Sequence, residues 1–207
     1  MGEIFLLKLI GLYLLLFISV IVLQVLAVPT ILLYIITTVL IFLILYSTLK
    51  PILFEKDYTK VLEFLKKSKN PMYQFIYYYF HKQYNEAEQV IPKIRSKKTQ
   101  TLNRIAVLTA QNNYKKAKEL AYSLKDDEEK YSILASIALE TKDKKLWEEN
   151  HLKIKKQQNK EYLSIYELAY NGKKKQALEM INKRIERSKG IQLVVEIQLR
   201  NAIEEIK

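Results

Sequence analysis

From Leu9 to Leu49 the chain carries no charged residue, and no other stretch constrains its folding as tightly. About 20 apolar residues at about 1.5 Å each cross a bilayer core. Leu9–Val28 and Ile31–Leu49 are therefore each long enough to span alone, whereas one helix over both would be about twice the required length. Pro29 lies between them, where it removes a backbone donor and disfavours helix at Val28. The expected structure is a two-helix transmembrane hairpin with spans at about 9–28 and 31–49. Two alternatives stay open. A re-entrant hairpin would have Gln24 and Thr30 as the polar groups of its tip, and cleavage after the small-residue pattern Val25-Leu26-Ala27 would leave the second span alone.

Charge then divides the chain. The first 49 residues hold only Glu3 and Lys8, so the whole net charge of +12 sits beyond them. Residues 1–50 form a membrane block and 51–207 a basic domain. Lys50, Lys56, Lys60, Lys66, Lys67 and Lys69 follow the second span, while the turn between spans is uncharged. Positive flanks stay inside, which predicts a multi-pass cell-membrane protein of bacterial type with both termini cytoplasmic. The absence of Cys removes disulfides, thiol nucleophiles and thiolate metal sites. Four Gly and four Pro, with abundant Leu, Ile, Lys and Glu, favour an all-α fold.

Within the basic domain, apolar residues recur every thirty positions. Phe75, Ile105, Ala135 and Ile165 form one column; Tyr78, Leu108, Ala138 and Leu168 a second; Ala87, Ala117, Trp147 and Ala177 a third; Ile91, Ala121, His151 and Ile181 a fourth. A period of this length signals stacked supersecondary units. Each unit reads as two amphipathic helices, the second opening near Tyr84, Tyr114, Lys144 and Lys173. Asn70-Pro71 predicts an N-cap with Pro at the first helical position, Asp126–Glu129 a helix start, and Pro92 an early end to a second helix. Asp57–Lys67 and Ile191–Ile206 read as flanking helices, the latter capping the far end.

The stretch Tyr166-Glu167-Leu168-Ala169-Tyr170-Asn171-Gly172, followed by Ala177 and Ile181, resembles a tetratricopeptide repeat. Asn113-Tyr114 with Ala117 and Ala121, and Tyr84 with Ala87 and Ile91, resemble its second helix. The likeness covers about residues 71–188, with units of thirty residues instead of the family's 34. It implies a right-handed α-solenoid of antiparallel helix pairs whose concave side binds a protein partner without catalysis.

No phosphate loop or HExxH motif is present. Glu148 and His151 share the spacing of a di-iron helix but lack the second such motif, and His151 falls in a packing column. No catalytic, cofactor or metal residue is assigned. Tyr73, Tyr77 and Trp147 are candidates for partner binding. Trp147 replaces Ala in its column, so it either fills the core or turns outward. Lys93, Arg95, Lys153, Lys155 and Lys183, late in the second helices, are candidates for an anionic surface such as inner-leaflet lipid. Nucleic acid fits less well, because the aromatics do not interleave with these bases. The expected function is a membrane-anchored adaptor for a membrane-associated or cytoplasmic protein; the alternative is a basic module for anionic lipid or nucleic acid.

Overall fold

The computed structural model describes residues 29–206 and eight helical positions between 11 and 22. Most of the first expected span thus lies outside the described residues. Among the described residues all regular structure is helical. In chain order the elements are α1 (Thr30–Leu53), α2 (Tyr58–Lys67), α3 (Pro71–Phe80), α4 (Tyr84–Val90), a 3-10 turn (Ile91–Lys93), α5 (Lys97–Ala110), α6 (Tyr114–Tyr122), α7 (Glu128–Thr141), α8 (Lys144–His151), α9 (Gln157–Tyr170), α10 (Lys174–Arg187) and α11 (Gly190–Glu205).

Pro29 is the N-cap of α1, extended at φ −53° and ψ 134°. The helix that follows has 24 residues and is long and apolar enough to cross a membrane. Ile31, Tyr34 and Phe42 project outward, as a lipid-facing surface requires. α1 runs through Lys50-Pro51 to Leu53, past the expected end of the span. Pro51 forfeits only one late helical bond there, and the Phe54 and Glu55 N–H groups both close on the Lys50 carbonyl at 2.9 Å.

The thirty-residue period is built into the backbone. Lys82, Asn112, Lys142 and Gly172 all adopt positive φ, one at the end of each first helix. The next N–H in each case bonds back to Tyr78, Leu108, Ala138 or Leu168 at 2.8 or 2.9 Å, the long bond of a Schellman cap. Phe75, Ile105, Ala135 and Ile165 are all buried, and Ala87, Ala117 and Ala177 are fully buried where the two helices of a unit touch. Unit three departs. An indole cannot occupy the place of a contact alanine, so α8 turns Leu146 and Asn150 into the interface and leaves Trp147 and His151 half-buried.

The predicted N-cap and helix start both form. Asn70 accepts from the Met72 N–H at 2.9 Å with Pro71 behind it, and Asp127 accepts from Glu129 and Lys130. Pro92 ends α4 in the 3-10 turn.

Helices pack as consecutive pairs, α3 on α4, α5 on α6, α7 on α8 and α9 on α10. α11 covers α10 but also meets α2 and the end of α1. Val194 of α11 is fully buried against Val61 and Leu65 of α2, with Phe64, Tyr73 and Tyr77 around them. The Gln198 amide donates to the Tyr58 hydroxyl at 2.8 Å, and Lys82 meets Glu205 at 2.8 Å. The helix expected only to cap the far end therefore joins it to the beginning, and the row of pairs closes into a ring.

Gly190 anchors this ring to α1. It sits at φ +56°, its N–H donates to the Glu55 carbonyl at 2.6 Å, and a Cβ there would fall 1.8 Å from the Ile52 carbonyl oxygen. Gly190→Ala is expected to cost at least about 2 kcal/mol, from left-handed strain plus a backbone clash. Denaturant unfolding of the detergent-solubilised chain measures this; an unchanged midpoint would show that the α1–α11 contact contributes nothing.

Candidate functional site

Ring closure leaves a central cavity of about 460 Å³, within the range of natural ligand sites. The repeat supplies its walls. Phe80, Ala110, Glu140 and Tyr170 occupy the same position near the ends of the four first helices, and all four line the cavity. Tyr84 and Tyr114 open two of the second helices and also face it, as do Tyr79 of α3 and Tyr166 of α9. α11 closes the remaining side with Gln198, Asn201 and Glu205.

On the repeat side, one carboxylate interrupts this aromatic lining. Glu140 is half-buried in the last turn of α7, where the helix dipole opposes a negative charge. Burial raises its carboxyl above the usual range, and the Tyr114 hydroxyl only partly offsets this. That hydroxyl also lies 2.7 Å from Asn112 Oδ1. Burial likewise pushes the hydroxyls of Tyr79, Tyr166 and Tyr170 up, with the charge of Glu140 adding to the effect at all three. The other charges of the lining, Lys82 and Glu205, neutralise each other through two contacts of 2.8 and 2.9 Å. Among the described residues, the cavity therefore holds one carboxyl group without a cationic partner, Glu140, inside a protein of net charge +12.

A second cavity, of about 700 Å³, opens beside the end of α1, between Leu53 and Phe54 on one side and α9, α10 and α11 on the other. Lys183, Arg184, Arg187 and Lys189 line it with Glu161 and Glu196. Arg184 is fixed: it contacts Glu161 at 2.7 Å and Glu196 at 2.9 Å and lies 4.2 Å over the Tyr162 ring. Glu196 Oε1 also accepts from the Tyr162 hydroxyl and the Gln192 amide, both at 2.6 Å. With the Arg184 Nε at 3.1 Å, four donors hold a fully buried carboxylate, whose Oε2 has no partner among the described residues.

The residues singled out from sequence are dispersed by the fold. Tyr73 and Tyr77 are half-buried in the closure seam, Tyr73 against Phe64 at 5.6 Å and Tyr77 against His81 at 4.1 Å. Trp147 stacks flat on His151 at 4.9 Å and lines a small separate cavity with Leu152 and Ile154. It touches two core clusters and takes neither of the expected extremes. Lys183 joins the basic cavity and pairs with Glu179 at 3.0 Å. Lys93, Arg95 and Lys155 are exposed in the connections after α4 and α8, and Lys153 lies 4.8 Å over the Tyr131 ring. Glu140, Tyr166, Arg187 and Glu196 were not foreseen. A column at 80, 110, 140 and 170 would have exposed Glu140 as its one charged member.

Among the described residues no group of His, Asp and Glu side chains converges to hold a metal ion. No family model, curated protein or solved structure matches the chain.

Glu140 makes the stability of the ring pH-dependent. A carboxyl whose folded pKa is raised contributes stability that is complete below its unfolded pKa of about 4.3, and this is lost as pH rises through the folded value. Glu140→Gln is therefore expected to melt above the parent protein at neutral pH, with the gap closing below about pH 4. Equal melting points at pH 7 would show that solvent already compensates the charge.

Proposed function

We propose that this chain is a membrane-anchored, non-catalytic adaptor of TPR-like repeats that engages a protein partner through the central cavity of its ring. The observation that carries the reading is the cavity lining: Tyr79, Tyr84, Tyr114, Tyr166 and Tyr170, from three of the four units, line one space with Asn112 and, from α11, Asn201. Tyrosines of this kind dominate recognition surfaces because they bury large area with little entropy lost. A space of about 460 Å³ admits a short segment or chain end, not a whole helix. α1 holds the ring at the bilayer through Gly190. The Lys-rich flank supports a cytoplasmic ring, and a two-span hairpin with both termini inside suits that orientation.

A photo-crosslinking residue at Tyr84, on the cavity wall, is expected to capture a discrete partner in native membranes. The same residue at Tyr122, which is 54% exposed and outside the cavity, is expected not to. Equal adducts from both positions, or none from Tyr84, would overturn the reading.

A second reading, membrane attachment through anionic lipid, is favoured by the basic cavity beside α1. Lys183, Arg187 and Lys189 there lie next to Leu53 and Phe54, where a headgroup would sit. Each such base is worth about 1 kcal/mol near an anionic leaflet. Replacing Arg187 and Lys189 together with Gln is expected to abolish retention of phosphatidylglycerol through detergent purification, read by lipid mass spectrometry. Unchanged retention would reject this reading.

A further inference from the structure

We propose that the central cavity is a receptor for a primary ammonium group, the side chain of a lysine on the partner segment, held by Glu140 and faced by the rings of Tyr166 and Tyr170. This deepens the adaptor reading and rests on it.

Three features of Glu140 disfavour an ionised carboxylate: partial burial, a position in the last turn of α7, and, among the described residues, no cationic side chain within ion-pair distance. A ligand cation supplies the missing partner, and its attraction offsets the other two costs. The cationic side chain of the lining, Lys82, is already bound by both oxygens of Glu205. Electrostatic complementarity therefore selects a cation over an anion or a neutral segment.

The lining also discriminates among cations. Among the described residues, no protein group hydrogen-bonds the hydroxyls of Tyr79, Tyr166 and Tyr170, three residues that line the cavity. A primary ammonium has three donors for a carboxylate and hydroxyl oxygens. A trimethylated ammonium has none. The methylene stem of lysine suits the aromatic walls, which would also interact favourably with the charge through their faces.

The test is calorimetric titration of the full chain in detergent micelles with a blocked pentapeptide, alanine at four positions and lysine at the centre. Companion peptides carry norleucine, Nε-acetyl-lysine or trimethyl-lysine there, and butylamine is titrated as the free amine. The lysine peptide is expected to bind at least about tenfold more tightly than each companion and than butylamine. Glu140→Gln, which should fold at least as well as the parent, is expected to lose that preference. Tyr166→Phe keeps the ring and removes one acceptor, so its loss should be smaller. Equal affinity for norleucine or acetyl-lysine, a preference that survives Glu140→Gln, or binding of butylamine without the lysine peptide would each overturn the proposal. If the lysine peptide fails to bind while the Tyr84 crosslink persists, the ammonium site falls and the adaptor reading stands. If Tyr84 captures nothing while the peptide binds through Glu140, the adaptor reading falls instead.

Discussion

The contact on which the architecture depends is the burial of Val194 against Val61 and Leu65. Without it, α2 to α10 would be an open row of helix pairs with an unprotected face at each end, as repeat arrays generally have. With it, one helix covers both ends, and the apolar surface removed from water contributes about 25 cal/mol per Å². Closure also makes the cavity. Units that would otherwise face an open groove point their first-helix ends at one another, so a single position of the repeat is presented to a common space by all four units.

Buried charge is handled in two ways in this ring. Glu196 is fully buried and receives Arg184, Tyr162 and Gln192, so it joins α9, α10 and α11 as a bracket. Removing one member of such a network is costly because the others lose their partner. Glu140 has no comparable support. A residue that opposes folding in its local setting is a familiar mark of a site shaped by something other than stability.

Much of the architecture could be read from the chain. The column headed by Phe75 marked buried positions correctly, because each unit repeats the same packing; that the column headed by Tyr78 accepts the cap bonds could not be read from its apolar pattern. Asn70-Pro71, Asp127 and Pro92 acted through short-range capping and steric rules that hold wherever they occur. Closure was not legible, since Val61 and Val194 are joined by no periodic pattern and their pairing depends on the accumulated curvature of every intervening unit. The site was missed for the same reason. Glu140 stands out only when compared with Phe80, Ala110 and Tyr170, and that column acquires meaning only once the ring is closed. Trp147 shows the limit of column reading, because α8 rotated to satisfy it.

The closing helix is also the last of the described helices to leave the ribosome, and it must find partners made more than a hundred residues earlier, Tyr58 among them. Such high sequence separation slows the final folding step relative to the local pairing of each unit. During synthesis α2 therefore waits with Val61 and Leu65 uncovered, beside an α1 already made. The interval between emergence of α2 and arrival of α11 is when this chain is most open to chaperone capture or mispairing with a neighbouring copy. Ring closure thus doubles as a completion signal: a product that stops before Gly190 retains its repeats but leaves its first seam exposed.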